Sequence, residues 1–286
     1  MPTVTLDAGT IHYESAGPAD ARPLVFVHGY AMGASLWRPL SQRLAARGLR
    51  CIAPTWPLGA HTEAMHLGAD VTINGVAAMI PQLLDSLALD DAVLVANDTG
   101  GALAQIVAGT QPERLGALVL TGCDAFEHFP PPILKPFIAA SRTLPLFRAA
   151  LLPMGTRFGR RRGFGALAHA DLEQLTAEWV KPALSDAAVA EDLRRLTASM
   201  KREVTVRAAD RLPGFTKPAL VAWAADDAFF PVEDGRRLAD LLPHARFELI
   251  EQARTFSMID QPDVLADLIA GFVATLPSSL SAESVA

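Results

Sequence analysis

The chain has 286 residues, of which half are hydrophobic and a fifth are charged, and its formal net charge is −6. This composition is ordinary for a soluble globular enzyme with a large core, and the length allows one large domain or two small ones. The basic cluster of Arg157 and Arg160 to Arg162 is short and more typical of a solvated surface than of a phosphate site, so we predict no nucleic-acid partner.

Cysteine is rare in this chain. Cys51 and Cys123 lie far apart in sequence and provide neither a disulfide framework nor metal-ligand spacing. No apolar stretch is long enough to span a membrane, and residues 1–7 contain no basic segment followed by an apolar one, so we see no signal peptide. We therefore expect a cytoplasmic protein, a monomer or a homodimer, with no metal, no cofactor and no membrane partner.

Short strands alternate with helices through the first part of the chain. The pattern predicts strands at residues 3–6, 11–15, 24–27, 51–53, 93–96 and 117–120, with helices after Ser35 and over residues 76–89. The alternation returns late in the chain, with strands at residues 218–223 and 247–250 and helices at residues 232–242 and 264–276. It predicts an α/β fold, in which helices cover both faces of a mostly parallel sheet and the ligand lies beyond the carboxyl ends of the strands.

A helical segment interrupts this alternation. From Asp124 to Lys217, prolines cluster near the start and helical stretches follow without a convincing strand. We predict that residues 1–123 and 218–276 form the α/β core, and that residues 124–217 fold over the site as a cap with an apolar, water-poor underside. The Ser-rich residues 277–286 are predicted to form a flexible tail.

The stretch from Asp91 to Gln105 indicates a catalytic site. A buried-strand run ends at Ala96 and a helical run begins near Gly100, and the small residues there favour a sharp strand-to-helix turn. Such a turn, the nucleophile elbow, lifts one side chain above the sheet, and that position is occupied by Asp98. A helix N-terminus also favours a carboxylate there, and the alternative interpretation is an ordinary helix-capping aspartate.

Three features together resemble the α/β-hydrolase superfamily over nearly the whole chain. The strand that ends in His28-Gly29 resembles the family's oxyanion loop, the elbow centres on Asp98, and residues 223–231 are similar to the segment that carries the triad acid. In that segment Asp227 takes the acid position, and Asp226 is expected to be its solvated neighbour.

The resemblance also implies roles for backbone groups and for the remaining polar residues. The N–H groups of Tyr30 and Thr99 are expected to stabilise a developing oxyanion. His28 is expected to prop the oxyanion loop. Asp124 follows the strand that ends near Leu120 and therefore lies at the edge of the site, with capping of the proline-rich segment as its alternative role.

An aspartate at the elbow is similar to that of haloalkane dehalogenases and epoxide hydrolases in this superfamily. Those enzymes attack carbon with the carboxylate, form an alkyl-enzyme ester and hydrolyse the ester with water. The present sequence departs from both groups. Thr99 stands where dehalogenases typically have a halide-binding tryptophan, and Tyr13 and Tyr30 lie outside the predicted cap, from which epoxide hydrolases use tyrosines as proton donors.

The larger departure concerns the family's catalytic histidine, whose position falls on Thr255. A threonine hydroxyl has no proton affinity near neutral pH, so it cannot act as a general base. Candidate substitutes are His61, in a loop at the edge of the sheet where the site is expected, and His128 and His169, in or near the predicted cap. His61 is preferred, and for each of the three the alternative is an ordinary hydrogen-bonded or surface histidine.

The sequence thus predicts an enzyme of hydrolase type that acts on a small apolar molecule through Asp98, with Asp227 orienting whatever base is used. A second hypothesis makes Asp98 a general acid or base in a lyase, isomerase or cyclase, because such steps need no histidine to activate water. A third hypothesis is a ligand-binding protein that has lost catalysis, and fold alone cannot separate the three.

Overall fold

The computed structural model describes residues 1–277, and an eight-stranded sheet runs through them. Its strands are β1 (Thr3–Leu6), β2 (Gly9–Ala16), β3 (Pro23–Val27), β4 (Arg50–Pro54), β5 (Ala92–Asp98), β6 (Leu115–Cys123), β7 (Ala219–Ala224) and β8 (Ala245–Ile250). In space the strands follow the order β1-β2-β4-β3-β5-β6-β7-β8. The pairs β1–β2 and β2–β4 are antiparallel and all later pairs are parallel, so the predicted α/β class and mostly parallel sheet are confirmed.

Helices connect the parallel strands. They are α1 (Arg38–Ala46), α2 (Ile73–Ser86), α3 (Thr99–Thr110), α4 (Lys135–Ala140), α5 (Leu144–Leu151), α6 (Arg157–Phe164), α7 (Glu173–Ser185), α8 (Ala187–Ser199), α9 (Arg202–Arg211), α10 (Val232–Leu241), α11 (Ser257–Asp260) and α12 (Pro262–Ala274). Short 3-10 turns cover Ala34–Trp37, Phe126–His128, Pro132–Leu134, Leu152–Gly155 and Leu212–Gly214. None of the helices within residues 1–277 combines the length and the apolarity that a bilayer crossing requires.

The central strands are buried on both faces, which explains their continuous apolar sequences. Along β5, Leu94 and Ala96 pack into the core on one face of the sheet, whereas Val93 and Val95 pack into the core on the other. A strand covered on both sides needs no polar residues at alternate positions. Two hydrophobic cores therefore hold β5 rigidly, and its carboxyl end is a stable platform for functional side chains.

Several elements extend beyond their predicted bounds. Helix α2 begins at Ile73 instead of Val76, because the Thr72 hydroxyl accepts a hydrogen bond from Gly75 N (3.2 Å) and thereby caps the helix. Strands β5 and β6 continue for two or three residues past their apolar runs, through Asp98 and Cys123. The added residues include the polar side chains that build the site, which the apolar pattern alone does not reveal.

Helices α4 to α9 follow one another between β6 and β7, and no strand lies between them in this part of the described chain. We define residues 124–217 as the helical insertion. The N-terminal strands β1 and β2 form the predicted hairpin, with Val4 opposite Ile11. Of the predicted tail, residues 278–286 lie outside the described residues.

Candidate active site

Asp98 stands at a sharp turn between β5 and α3. Its φ is +54°, a left-handed backbone conformation that non-glycine residues rarely adopt and that often marks functional sites. Gly100 and Gly101 follow Asp98 at positions that leave no space for a side chain. A Cβ on Gly100 would overlap the carbonyl oxygen of Val27, and one on Gly101 would overlap Cys123. The small residues read from the sequence are therefore required by close packing of α3 against the sheet, and the turn centres on Asp98 as predicted.

One oxygen of the Asp98 carboxylate is held by two backbone donors. Oδ1 accepts hydrogen bonds from Tyr30 N (3.0 Å) and Thr99 N (2.7 Å). Gly29 allows this approach, because a Cβ there would lie 2.5 Å from Asp98 Cγ and closer still to Oδ1. Oδ2 accepts no hydrogen bond from the described residues and is not among their fully enclosed polar atoms. The carboxylate is thus fixed through one oxygen while the other stays free.

His28 supports the loop that provides the Tyr30 donor. Its Nδ1 donates to Gly29 O (3.0 Å), and its Nε2 accepts from Trp56 N (2.9 Å), so the partners define a neutral tautomer. Burial lowers the pKa of His28 to about 4, which keeps the ring uncharged near neutral pH. These contacts agree with the expected propping role, and they leave neither ring nitrogen free for proton transfer.

Asp124 approaches the elbow from the end of β6. Its Oδ2 accepts a hydrogen bond from Thr99 Oγ1 (2.8 Å), and its backbone N donates to Asp98 O (3.2 Å). Its Oδ1 is buried and has no hydrogen-bond partner within residues 1–277. Asp124 therefore lies beside the elbow, as predicted, but its carboxyl group contacts the residue next to Asp98 and caps no helix of the proline-rich segment.

A negative charge on Asp98 disfavours a second negative charge on Asp124. Burial raises the pKa of Asp98, and the donors at Thr99 and Tyr30 oppose that rise. Burial raises the pKa of Asp124 well above its usual range, and the nearby charge of Asp98 raises it further. Because Asp98 has two backbone donors and Asp124 has one hydroxyl donor, the negative charge is more stable on Asp98. Asp124 is then the group that holds a proton.

Asp227 lies in the loop after β7 and points to Thr255. Its Oδ1 accepts hydrogen bonds from Thr255 Oγ1 (2.8 Å), Phe229 N (2.9 Å) and Phe230 N (3.0 Å). Burial raises the pKa of Asp227 to about 6. Asp226, by contrast, is half exposed and contacts His169 Nε2 (3.0 Å). The predicted register, with Asp227 inward and Asp226 at the surface, is confirmed.

Asn97 links the three loops of the site, a role that sequence reasoning missed. Its Nδ2 donates to Thr121 Oγ1, Gly122 O and Thr255 O, each at 2.9 Å. The amide thereby fixes the Thr255 loop against the ends of β5 and β6, whatever side chain residue 255 carries. A buried asparagine directly before the elbow residue was a signal for such a role, because a buried amide must find hydrogen-bond partners.

An apolar cavity of about 90 Å³ opens on Asp98. Within the described chain, the only lining side chains with oxygen atoms are those of Tyr30, Asp98 and Thr99, and no lining side chain carries a nitrogen atom. The hydroxyls of Tyr30 and Thr99 are already bonded, to Thr197 Oγ1 (2.8 Å) and to Asp124. Much of the wall comes from the helical insertion, including Ile133, Phe137, Met154, Phe164, Val180 and Leu193.

None of the chain's seven histidines, all of which fall within residues 1–277, lines this cavity. His61 Nε2 lies 3.2 Å from Asp192 Oδ2 in the helical insertion, so this ring nitrogen of the preferred substitute base is already engaged outside the cavity. His128 contacts Asp234 (2.6 Å) and His169 contacts Asp226, both near the surface. The structure thus supports the alternative interpretation of all three, because each ring already has a carboxylate partner elsewhere.

A profile of the α/β hydrolase fold family matches residues 22–262, most of the chain. The chain belongs to the α/β-hydrolase family. A 2-hydroxy-6-oxononadienedioate/2-hydroxy-6-oxononatrienedioate hydrolase of Paraburkholderia phymatum is 30% identical over 260 residues, which cover 85% of each chain. Haloalkane dehalogenase 2 of Mycobacterium bovis is 28% identical over 275 residues, covering 91% of this chain and 90% of that protein.

Solved structures agree with this assignment. A crystal structure of a haloalkane dehalogenase from Bradyrhizobium elkani superposes with a TM-score of 0.77 at 19% identity and covers 95% of this chain and 96% of its own. Such a low identity supports the fold alone. The relatives named as hydrolases place this chain, in class, among the hydrolase-type enzymes of the superfamily.

Proposed function

We propose that the chain is a hydrolase that uses Asp98 as its nucleophile on a small apolar molecule. The observation that carries the proposal is the arrangement of the Asp98 carboxylate. Oδ1 is fixed by the N–H groups of Tyr30 and Thr99, whereas Oδ2 has no protein donor at the wall of an apolar cavity. An unbonded carboxylate oxygen held in one orientation is suited to attack an electrophilic carbon, because its position is fixed before reaction.

The same donors serve the second half of the reaction. After Oδ2 bonds to carbon, Oδ1 is the carbonyl oxygen of an alkyl ester. When water adds to that carbonyl, negative charge develops on Oδ1, where Tyr30 N and Thr99 N already point. The two backbone groups named from the sequence therefore act first to orient the nucleophile and then to stabilise the tetrahedral intermediate.

The cavity restricts the choice of substrate. No lining side chain within residues 1–277 offers a free N–H donor to a departing anion. A leaving group must therefore depart without a side-chain donor, which favours activated electrophiles such as alkyl iodides and benzylic or allylic bromides over simple alkyl chlorides. An apolar body is favoured by the phenylalanine, leucine and methionine side chains of the wall.

Hydrolysis of the ester lacks its usual base. Thr255 occupies the histidine position and donates its hydroxyl to Asp227, and no histidine among the described residues reaches the cavity. Formation of the ester needs only the carboxylate and a positioned electrophile, whereas its hydrolysis needs an activated water. We therefore expect the alkyl ester to accumulate and to break down slowly.

The test is the intact mass of the protein after incubation with a panel of alkyl halides, epoxides and esters. We expect a mass increase of one alkyl group for at least one halide, localised by peptide mapping to the peptide that contains Asp98. The matched control is Asp98→Asn, which keeps the shape and removes the charge, and it should acquire no adduct. An adduct of equal yield in Asp98→Asn, or none in the native protein with any reagent, contradicts the proposal.

A second candidate function is proton transfer without hydrolysis, with Asp98 as general acid or base. The raised pKa of three carboxyl groups, Asp98, Asp124 and Asp227, favours it, because burial brings their titration closer to neutral pH. This candidate predicts that solvent deuterium enters a bound substrate at carbon, that Asp98→Asn abolishes the exchange, and that no adduct forms. Saturable ligand binding with neither exchange nor adduct would indicate a binding protein instead.

A further inference from the structure

We propose that Asp124, acting through the hydroxyl of Thr99, accepts the proton of the water that hydrolyses the Asp98 ester. This inference rests on the proposed nucleophilic role of Asp98. It assigns the task of the absent histidine to a buried carboxylate that directly follows β6 and is separate from the Asp227–Thr255 pair.

The geometry provides a continuous path from the cavity to Asp124. Thr99 lines the cavity, and its Oγ1 donates to Asp124 Oδ2 over 2.8 Å. Burial raises the pKa of Asp98, and the Thr99 hydroxyl is one of the donors that oppose this rise, so it lies close to the atoms that react. A hydroxyl in this position can receive a proton from water on one side while it passes its own to Asp124 on the other.

Asp124 is a buried acid whose carboxyl group is only partly hydrogen-bonded. It is 2% exposed, and its Oδ1 has no hydrogen-bond partner among residues 1–277. A buried polar oxygen without a partner is unfavourable by about 1–3 kcal/mol, and more if charged. A carboxyl group in this environment favours its protonated form, because burial disfavours the charge. The negative charge of the nearby Asp98 favours the protonated form of Asp124 further in the free protein.

Esterification changes this balance. Burial raises the pKa of Asp124 both before and after esterification, and while Asp98 is a carboxylate its charge raises that pKa further. Once Asp98 is an ester it carries no charge, so that contribution disappears and Asp124 loses its proton more readily. The site therefore keeps a single negative charge, first on Asp98 for attack on carbon and then on Asp124 for activation of water.

With an alkyl halide, the first half-reaction alkylates Asp98. Asp98 Oδ2 forms a bond to carbon, the carbon–halogen bond breaks, and the halide leaves with the bonding electron pair. Asp124 releases its proton to solvent. The site then holds an ester and one carboxylate.

In the second half-reaction, water oxygen bonds to Asp98 Cγ and negative charge develops on Oδ1. One water proton passes to Thr99 Oγ1 while the Thr99 proton passes to Asp124 Oδ2. The bond between Cγ and the alkyl oxygen then breaks, and the alcohol leaves with the second water proton. Asp98 is again a carboxylate and Asp124 is again protonated, so one halide and one water become one alcohol, one halide ion and one proton.

Other charged groups near the elbow are less suited to this task. Asp227 also has a buried oxygen, Oδ2, without a hydrogen-bond partner, but it does not line the cavity and its Oδ1 is already engaged by three donors. Cys123 precedes Asp124, and burial raises its thiol pKa well above the usual value, so it stays protonated. Among the residues described, Asp124 is thus the carboxyl group that a lining hydroxyl connects to the cavity.

The experiment separates formation of the adduct from its release. Protein is alkylated briefly with the halide that labels Asp98, excess reagent is removed, and the decay of the adduct is followed by intact mass. The test variants are Asp124→Asn, which is isosteric and cannot accept the proton, and Thr99→Val, which keeps the backbone N–H donor but removes the hydroxyl. Thr99→Ser restores the hydroxyl, and Asp192→Asn is the control for a buried aspartate outside the cavity.

We expect Asp124→Asn and Thr99→Val to slow release of the adduct about 10²-fold, the lower limit for loss of a general base, and to slow its formation much less. Thr99→Ser and Asp192→Asn should release it at the native rate. Native release should also fall at low pH, as Asp124 becomes protonated, and this dependence should vanish in Asp124→Asn.

If both Asp124→Asn and Thr99→Val release the adduct at the native rate, the role of Asp124 is refuted, whereas the role of Asp98 as nucleophile is not. Equal slowing of formation and release would also refute the role of Asp124, because that pattern indicates a structural role. Absence of any adduct in the native protein would instead overturn the proposed function. If Asp124→Asn does not fold, Thr99→Val with its Thr99→Ser rescue decides the question.

Discussion

The substitution Gly29→Ala should slow the reaction of Asp98 by displacing its side chain, although it leaves the carboxylate chemically unchanged. Gly29 has no positive φ, so its backbone accepts alanine without strain, and the effect of Gly29→Ala is confined to the space beside Asp98. The new Cβ would stand 2.5 Å from Asp98 Cγ. It would be closer still to Oδ1 and to Cβ of Asp98, and normal contact between carbon atoms is about 3.5 Å, so the Asp98 side chain must shift by about 1 Å or more.

A shift of this size has a predictable kinetic effect. Misplacement of a reacting group by about 1 Å reduces the rate about 10²-fold, so ester formation should slow by about that factor. Oδ1 also leaves the N–H groups of Tyr30 and Thr99, which now lie 3.0 and 2.7 Å away. Loss of one such donor reduces turnover by about 10²–10³-fold, so release of the ester should slow at least as much as its formation.

The assay is the rate of adduct formation by intact mass, followed by the rate of its decay after removal of reagent. Gly271→Ala is the matched control, because a Cβ there meets nothing within 4 Å. It should react at the native rate. The reasoning is refuted if Gly29→Ala, with native thermal stability, forms and releases the adduct as fast as the native protein, because Oδ1 would then not need its two donors.

Three further predictions follow from the contacts of the site. Thr255→His should speed release of the adduct and allow multiple turnover, because Asp227 lies within hydrogen-bond reach of residue 255 (2.8 Å) and can orient the ring. Unchanged release would show that the ring cannot approach the ester. His61→Ala should leave release of the adduct unchanged but lower the free energy of unfolding by about 1–3 kcal/mol, because it removes the buried partner of Asp192. Slower release in this variant would indicate that His61 is the base. The pKa of Asp227 is about 6 in the folded protein and 3.8 ordinarily, so the folded state binds more protons than the unfolded state between pH 3.8 and pH 6. The free energy of unfolding should therefore fall as pH rises through this range, by about 3 kcal/mol in all. In thermal melts, Asp227→Asn should lack this part of the pH dependence, and an identical dependence in both proteins would mean that the buried carboxyl group does not titrate there.

The sequence was sufficient for the fold and for the position of the elbow because both depend on local patterns. Apolar runs bounded by turn residues located β3, β5 and β7, and the small residues around Asp98 reflected packing that the structure now explains atom by atom. The register of Asp227 and Asp226 was also readable, because residues 223–231 resemble the family segment that carries the triad acid and this resemblance assigns the acid position to Asp227.

The partners of the polar side chains were not readable, because they depend on contacts between distant elements. Nothing local to His61 indicates that Asp192, 131 residues away, takes up its Nε2. Nothing local to Asp124 indicates that its carboxyl meets Thr99, since that contact requires β5 and β6 to be neighbours in the sheet. Choosing His61 as the substitute base followed from its place in a loop, and a loop position does not fix where a ring points.

Thr255, where the family resemblance places a histidine, is held by two neighbours. Asn97 donates to Thr255 O and Asp227 accepts from Thr255 Oγ1, at 2.9 and 2.8 Å. Asp98 and Asp124 are buried and Asp227 is partly buried, and burial raises the pKa of all three, which means that their charged forms are disfavoured in the fold. A protein with no chemistry at this site would be more stable with neutral residues in their place. The energetic penalty is understandable if Asp98 must stay reactive and Asp124 must exchange a proton, and the paired measurements of adduct formation and release test those two requirements separately.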